Sequence, residues 1–157
     1  MSDEMISIDL VDRALAQWKQ HVLTISRLHQ SNDDYHAAAM KFVDELYAYD
    51  EAHVLFKPTM AKEQYVRDSK AGAISYFVGA DPLFPEDTGF ALKNWKNIHF
   101  SIKKYVINGE MLSWMGETQF EDKTQHITRV HSTFVWIRSH YAEQAKIMLH
   151  HSSLIVD

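Results

Sequence analysis

Lys146-Ile147-Met148-Leu149-His150-His151-Ser152-Ser153-Leu154 closes the chain with apolar and polar residues in near alternation. Successive side chains of a strand point to opposite faces, so polar groups two positions apart share one side. Three upstream stretches, 97–107, 110–120 and 126–138, alternate in the same way, and with 146–156 they predict four strands. Such a sheet sets a few directed polar groups into a hydrophobic wall, which is how a pocket for a small molecule is built. Asn108-Gly109 between the first two runs predicts a type I′ hairpin, because that turn needs positive φ at both central positions. Turns at 121–125 and 139–145 then complete an antiparallel meander.

The stretch before the meander reads as helical. Ser7 is a candidate cap, and Ile8, Val11, Leu15, Trp18, Val22 and Ile25 recur at steps of three and four, predicting one amphipathic helix to about His29. A seven-residue repeat over so few turns fits a helix lying on a sheet better than a coiled coil. Ser31-Asn32-Asp33-Asp34 breaks the pattern and offers a new cap, after which Tyr35, Ala39, Phe42, Leu46 and Tyr49 share a face. Val54-Leu55-Phe56 reads as a short strand stopped by Lys57-Pro58. A helical stretch beginning at Thr59 or Lys62 is expected through Tyr65 and Val66, then a further helix capped by Ser69 and ended by Gly79. The segment 80–94 holds Pro82, Pro85 and Gly89 and is a loop, longer than most connections. Its apolar members Leu83, Phe84, Phe90 and Leu92 are expected to pack it down as a cover.

Helices followed by a meander make an α+β fold. The 157 residues form one domain (1–157) by size, and no repeat or low-complexity segment divides them. A net charge of −5 without a basic cluster argues against binding nucleic acid through its phosphates. Cysteine is absent, which removes disulfides, thiol catalysis and Cys-based zinc sites. Met1-Ser2-Asp3-Glu4 is acidic where a signal peptide is basic, and no apolar run approaches the roughly 18 residues of a membrane span. The expectation is a cytoplasmic protein with no membrane association. No histidine spacing resembles a helical metal site, and no phosphate-loop, dinucleotide or nucleophile-elbow motif occurs, so neither metal nor cofactor is expected.

The candidate site residues lie on the strands. One face of 126–138 presents Ile127, Arg129, His131, Thr133, Val135 and Ile137; the other presents His126, Thr128, Val130, Ser132, Phe134 and Trp136. Neither set is wholly polar, so both faces are expected to be covered, one by helices and one by a partner. Arg129 and His131 are neighbours on one side of the pleat. A partly buried arginine needs an anion, supplied by a ligand or by a carboxylate such as Asp50 or Glu51. His131 reads either as a structural histidine or as a general acid/base. Trp95 and Trp114 read as core or as a stacking platform. His150 and His151 point to opposite faces, so one of the two can join a given cluster.

Two blocks of sequence carry a family resemblance. Glu45-Leu46-Tyr47-Ala48-Tyr49-Asp50-Glu51-Ala52-His53-Val54-Leu55-Phe56 resembles the junction after the second helix in the nuclear transport factor 2-like superfamily, which includes SnoaL-like and ketosteroid-isomerase-like proteins. Ile127-Thr128-Arg129-Val130-His131 together with the closing stretch is similar to its last two strands, and most of all to the association domain of calmodulin-dependent kinase and its bacterial relatives. The resemblance implies a cone: a bent antiparallel sheet wrapped around the N-terminal helices, with a pocket between. It also implies a homodimer through the outer sheet face, which would employ Val130, Phe134 and Trp136. The association domain lines its pocket with arginines, of which Arg129 looks like one, while Gly116 and Ser152 stand where two others are expected.

Two functions follow. The first is a small-molecule pocket protein of the SnoaL-like type, a lyase or isomerase with His131 as acid/base, oriented by Arg129 or Ser152. Tyr76, Trp95 and Trp114 would form its wall, with His150 and Ser152 reaching the ligand. A neutral imidazole suits proton abstraction beside a carbonyl. The second is a non-catalytic dimeric binding module, favoured by two apolar sheet faces and by the lack of a carboxylate base on a pocket-facing position.

Overall fold

The computed structural model describes residues 5–156; the acidic start Met1-Ser2-Asp3-Glu4 lies outside the described residues. Helix α1 (Ile8–Gln30) begins where the Ser7 hydroxyl accepts a hydrogen bond from the Leu10 amide at 3.2 Å. That bond satisfies one of the amides a helix start leaves unpaired, an effect of about 1 kcal/mol. Its expected stripe is buried from Val11 to Ile25, with Ile8 only partly covered. Helix α2 (Tyr35–Leu46) is capped by Asp34, which accepts from the Ala37 amide at 3.0 Å, and buries Ala39, Phe42, Val43 and Leu46. Helix α3 (Lys70–Val78) starts at the Ser69 cap and stops at Gly79, whose φ of 69° suits glycine.

The sheet has strand order β1-β5-β4-β3-β2, from β1 (Leu55–Lys57), β2 (Trp95–Asn108), β3 (Met111–Asp122), β4 (Ile127–Arg138) and β5 (Ala145–Leu154). The four long strands form the expected antiparallel meander, and β1 joins parallel to β5, setting Phe56 opposite His150. The helices lie against the inner face, and α1 delivers Trp18 to its centre, ringed edge-on by Phe42, Phe77, Phe100, Phe120 and His150. This is the α+β cone that the resemblance implied.

Several local expectations are corrected. The β2–β3 loop is Gly109-Glu110, because Asn108 pairs with Met111, and of the two only Gly109 has positive φ (60°). Glycine therefore takes the first central position and no type I′ turn centred on Asn108 forms; pairing of Ile107 with Leu112 sets the register instead. Residues 59–66 are not helical. Their amides at Lys62, Glu63 and Gln64 all bond the Glu86 carboxylate, so a distant side chain replaces the helical ladder. Within the loop 80–94, a 3₁₀ turn spans Phe90–Leu92, Phe90 is buried, and Leu83 is exposed instead of packed.

The largest correction concerns which face looks inward. Val130, Phe134 and Trp136 are buried under the helices, not set outside for a dimer, while Arg129 and His131 are on the outer face and exposed. The large apolar set gains most by burial, and the charged tips stay solvated on the other side. On β5 the register shifts between the pairs Val135–Leu149 and Trp136–Ile147. The extra residue lets Ile147 and His150 both be buried despite their odd spacing. Among the described residues no helix is long and apolar enough to cross a membrane.

Candidate functional site

A cavity of about 20 Å³ lies between the inner sheet face, α1 and α3. Its walls are aromatic: Trp18, Phe56, Phe77, Phe90, Phe100, Phe120 and Phe134, with Pro58. Six polar side chains interrupt them: Thr59, Tyr76, Thr118, Ser132, His150 and Ser152. Inward positions of three strands supply four of these, because Thr118 precedes Phe120, Ser132 precedes Phe134, and His150 precedes Ser152 by one pleat repeat each.

The polar groups are joined in pairs. Thr59 Oγ1 donates to Ser152 Oγ at 2.7 Å, across the junction between β1 and β5. Thr118 and Ser132 hydroxyls lie 2.9 Å apart on β3 and β4. Tyr76, on α3, accepts from the Met60 amide at 3.3 Å and also bonds Thr59, which ties the segment after β1 to the helix. Lys57 Nζ donates to the Ser152 and Thr59 carbonyls at 3.3 and 3.5 Å, clamping that junction from behind. A second latch holds the same segment. Arg67, fully buried, bonds Asp87 through both terminal nitrogens at 2.7 and 2.8 Å, and Asp87 also accepts from Ser75 at 2.6 Å.

His150 is sandwiched between Phe56 and Phe134, with ring centres 4.8 and 4.2 Å away. Burial pushes its pKa down to about 3, aided by the neighbouring His151, so the ring is neutral at ordinary pH. The Tyr76 hydroxyl is pushed well up by burial and stays protonated. The cavity therefore holds neutral groups that both donate and accept hydrogen bonds. Among the described residues no group of three or more His, Asp or Glu side chains is arranged to hold a metal ion.

The structure brings together Tyr76, His150 and Ser152 of the residues singled out in the sequence, and it separates the others. Trp95 and Trp114 are buried in the core without lining the cavity; Trp95 Nε1 donates to the Phe90 carbonyl at 2.7 Å. Arg129 bonds Glu117 at 2.5 Å, on the adjacent strand, and not Asp50 or Glu51. That guanidinium and Gln119 hold the Glu117 carboxyl below its usual range. His131 pairs in register with Glu117 on the same outer face, so neither Arg129 nor His131 reaches the cavity. Asp50 instead meets Lys70, and Glu51 meets Ser139, the His140 amide and Lys146. Sequence reasoning missed Thr59, Thr118 and Ser132. The last two carry a legible signal, a hydroxyl on the face that also holds Phe120 or Phe134. Thr59 carries none, since its position depends on a non-helical segment.

Comparison with known proteins places this arrangement. Against solved structures, the chain is similar to an iota-carbonic anhydrase from a cyanobacterium, in a crystal structure complexed with bicarbonate: 32% identity, covering 100% of this chain and 97% of that one, with a TM-score of 0.93. A candidate calcium/calmodulin-dependent protein kinase II association domain from Xanthomonas campestris shares the fold at a TM-score of 0.62, covering 94% of this chain and 86% of that one, with 19% identity. The association-domain likeness read from the sequence is thus the looser one. By sequence, the chain is 35% identical over 140 residues to a metal-independent carbonic anhydrase of Nostoc sp. (strain PCC 7120 / SAG 25.82 / UTEX 2576), spanning 87% of this chain and 68% of that protein. The family model for metal-independent carbonic anhydrases matches residues 9–154, nearly the whole described fold, and the chain belongs to that family.

Proposed function

We propose that the cavity interconverts carbon dioxide and bicarbonate without a metal ion. The observation that carries this reading is the cavity itself, about 20 Å³ and ringed by hydroxyls and one neutral imidazole. A single water needs roughly 10–15 Å³ on this scale, so the guest is a molecule of a few atoms and not a steroid or polyketide. Bicarbonate in the cyanobacterial relative supports the choice.

The chemistry uses the groups present. Hydration joins a water oxygen to the carbon of carbon dioxide, while one proton of that water moves to a carbon dioxide oxygen. The carbonic acid so formed dissociates to bicarbonate and a proton on reaching solvent. A hydroxyl that accepts the water's proton and releases its own completes the transfer with no net charge inside the aromatic wall, where an isolated charge is costly. The linked Thr59 and Ser152 hydroxyls fit that relay, and Tyr76 and His150 fit the role of fixed dipoles beside the oxygen on which charge develops. Dehydration runs the same steps backwards.

Stopped-flow hydration of carbon dioxide in the presence of a strong chelator tests the proposal. Wild-type protein is expected to exceed the buffer rate, and Ser152→Ala or Thr59→Val to lower kcat by about 10²-fold, the scale for losing one preorganised group. His131→Ala, on the opposite sheet face, is expected to match wild type. A wild-type rate equal to that of buffer sinks the reading.

A second proposal concerns assembly. Val106, Met111 and Met115 neighbour one another on the outer sheet face near the β2–β3 turn and are 53%, 41% and 62% exposed. An apolar patch of this kind marks an interaction surface, and a second copy of the chain is the occupant that the resemblance favours. Sedimentation that returns a monomer at micromolar concentration counts against it.

A further inference from the structure

Tyr47 stands where α2 gives way to extended backbone (φ −110°, ψ 139°), behind the cavity wall and not in it. Its hydroxyl lies 3.0 Å from His150 Nδ1, and Trp18 Nε1 donates to the same oxygen at 3.2 Å. An indole N–H can only donate, so one lone pair of the Tyr47 oxygen is committed. Two assignments then exist for the proton between Tyr47 and His150. If Nδ1–H donates, Tyr47 accepts twice and its own hydrogen, in a side chain only 1% exposed, has no acceptor. If Tyr47 donates to Nδ1, each group in the chain of three has a partner, and the ring's single proton sits on Nε2. No described group bonds Nε2, and the ring lines the cavity. Stacking of the imidazole between Phe56 and Phe134 resists rotation that would undo this.

We infer that Tyr47, itself oriented by Trp18, is a positioning residue that fixes His150 as the Nε2–H tautomer and so sets it as a hydrogen-bond donor to a substrate oxygen. The donor role rests on reading the cavity as a carbon dioxide and bicarbonate site; the placement of the proton does not. Burial keeps the second proton off the ring, so His150 acts as a neutral dipole and not as an acid that cycles its charge. The substrate class this serves is a small molecule with an oxygen gaining negative charge, which carbon dioxide becomes on hydration.

Proton–nitrogen correlation spectra of wild-type protein labelled at histidine nitrogen report the tautomer without any turnover. The expected pattern is protonated Nε2 with bare Nδ1 for His150; a protonated Nδ1 overturns the inference. Tyr47→Phe removes the hydroxyl alone. It is expected to give a mixture of the two tautomers and a kcat lower by about tenfold, the effect of losing one hydrogen bond that orders the transition state. A Tyr47→Phe protein that keeps Nε2–H fully populated overturns the positioning role, whatever its activity. If Tyr47→Phe does not fold, the wild-type spectrum still decides the tautomer. Wild-type protein that shows Nε2–H yet fails to speed hydration overturns the functional reading and leaves the proton assignment standing, so the two failures are told apart by separate measurements.

Discussion

His150 and His151 are neighbours in the chain and opposites in the fold. His150 is buried among aromatic rings and held neutral, while His151 is exposed on the outer face. The pleat alone separates them, which the alternation shows; which one faces inward depends on where the helices pack. Gly116 makes a similar point. Its place among the residues that resemble an arginine-lined pocket is explained by contact: a Cβ there would meet Trp114 at 2.7 Å and the Ser101 carbonyl at 2.9 Å. The indole and the neighbouring strand exclude any side chain. Gly116→Ala is therefore expected to destabilise the protein by about 1–3 kcal/mol through overpacking, seen as a lower midpoint in chemical denaturation. A midpoint unchanged from wild type would contradict the contact.

At the scale of elements, the segment between β1 and α3 supplies Thr59 although it has no regular structure of its own. It is held by Glu86 on three amides, by Tyr76, and by the buried Arg67–Asp87 pair. Arg67 also lies over the Phe84 ring at 4.6 Å, so the loop 80–94 is a brace as much as a cover. Removing one partner of a buried pair leaves the other charge poorly compensated, and Arg67 would keep only the more distant Glu86 carboxylate, at 3.8 Å. Asp87→Asn is expected to cost about 3–5 kcal/mol in denaturant-induced unfolding and to depress hydration activity as well, because the segment carrying Thr59 loosens. A loss of stability below about 1 kcal/mol, the scale of an exposed pair, would show the latch to be incidental.

For the molecule as a whole, the neutral buried His150 ties stability to pH. Its folded pKa of about 3 lies below the ordinary 6.5, so between those values the unfolded chain takes up a proton that the folded protein refuses. This contribution to stability is intact above pH 6.5 and is lost progressively as pH falls toward 3. The difference in unfolding free energy between wild type and His150→Gln is expected to shrink steadily from pH 7 to pH 4. A difference that stays constant across that range would mean that the ring takes up its proton in the fold just as it does in the unfolded chain. The same burial that creates this liability makes the imidazole a fixed dipole in the proposed site.

Much of the fold was written locally. Ser7, Asp34 and Ser69 start their helices because a short polar side chain satisfies an amide within its own turn, and alternation makes strands because the pleat is a property of the chain. His150 and Ser152 were therefore visible as polar residues within an apolar pattern, and Tyr76 only as a wall residue. What sequence could not decide was every question about contact across the chain. The extra residue in β5, the segment around Thr59 pinned by Glu86, and the choice of inner face all depend on packing between distant segments. Arg129 and His131 looked like the chemical pair because they sit together on one strand, yet the helices cover the other side. Tyr47 and His150, 103 positions apart, meet only because α2 ends beside the inner face of β5. Periodicity reports how a segment divides its side chains between two faces; only the tertiary packing decides which face is closed to water, and the site lies there.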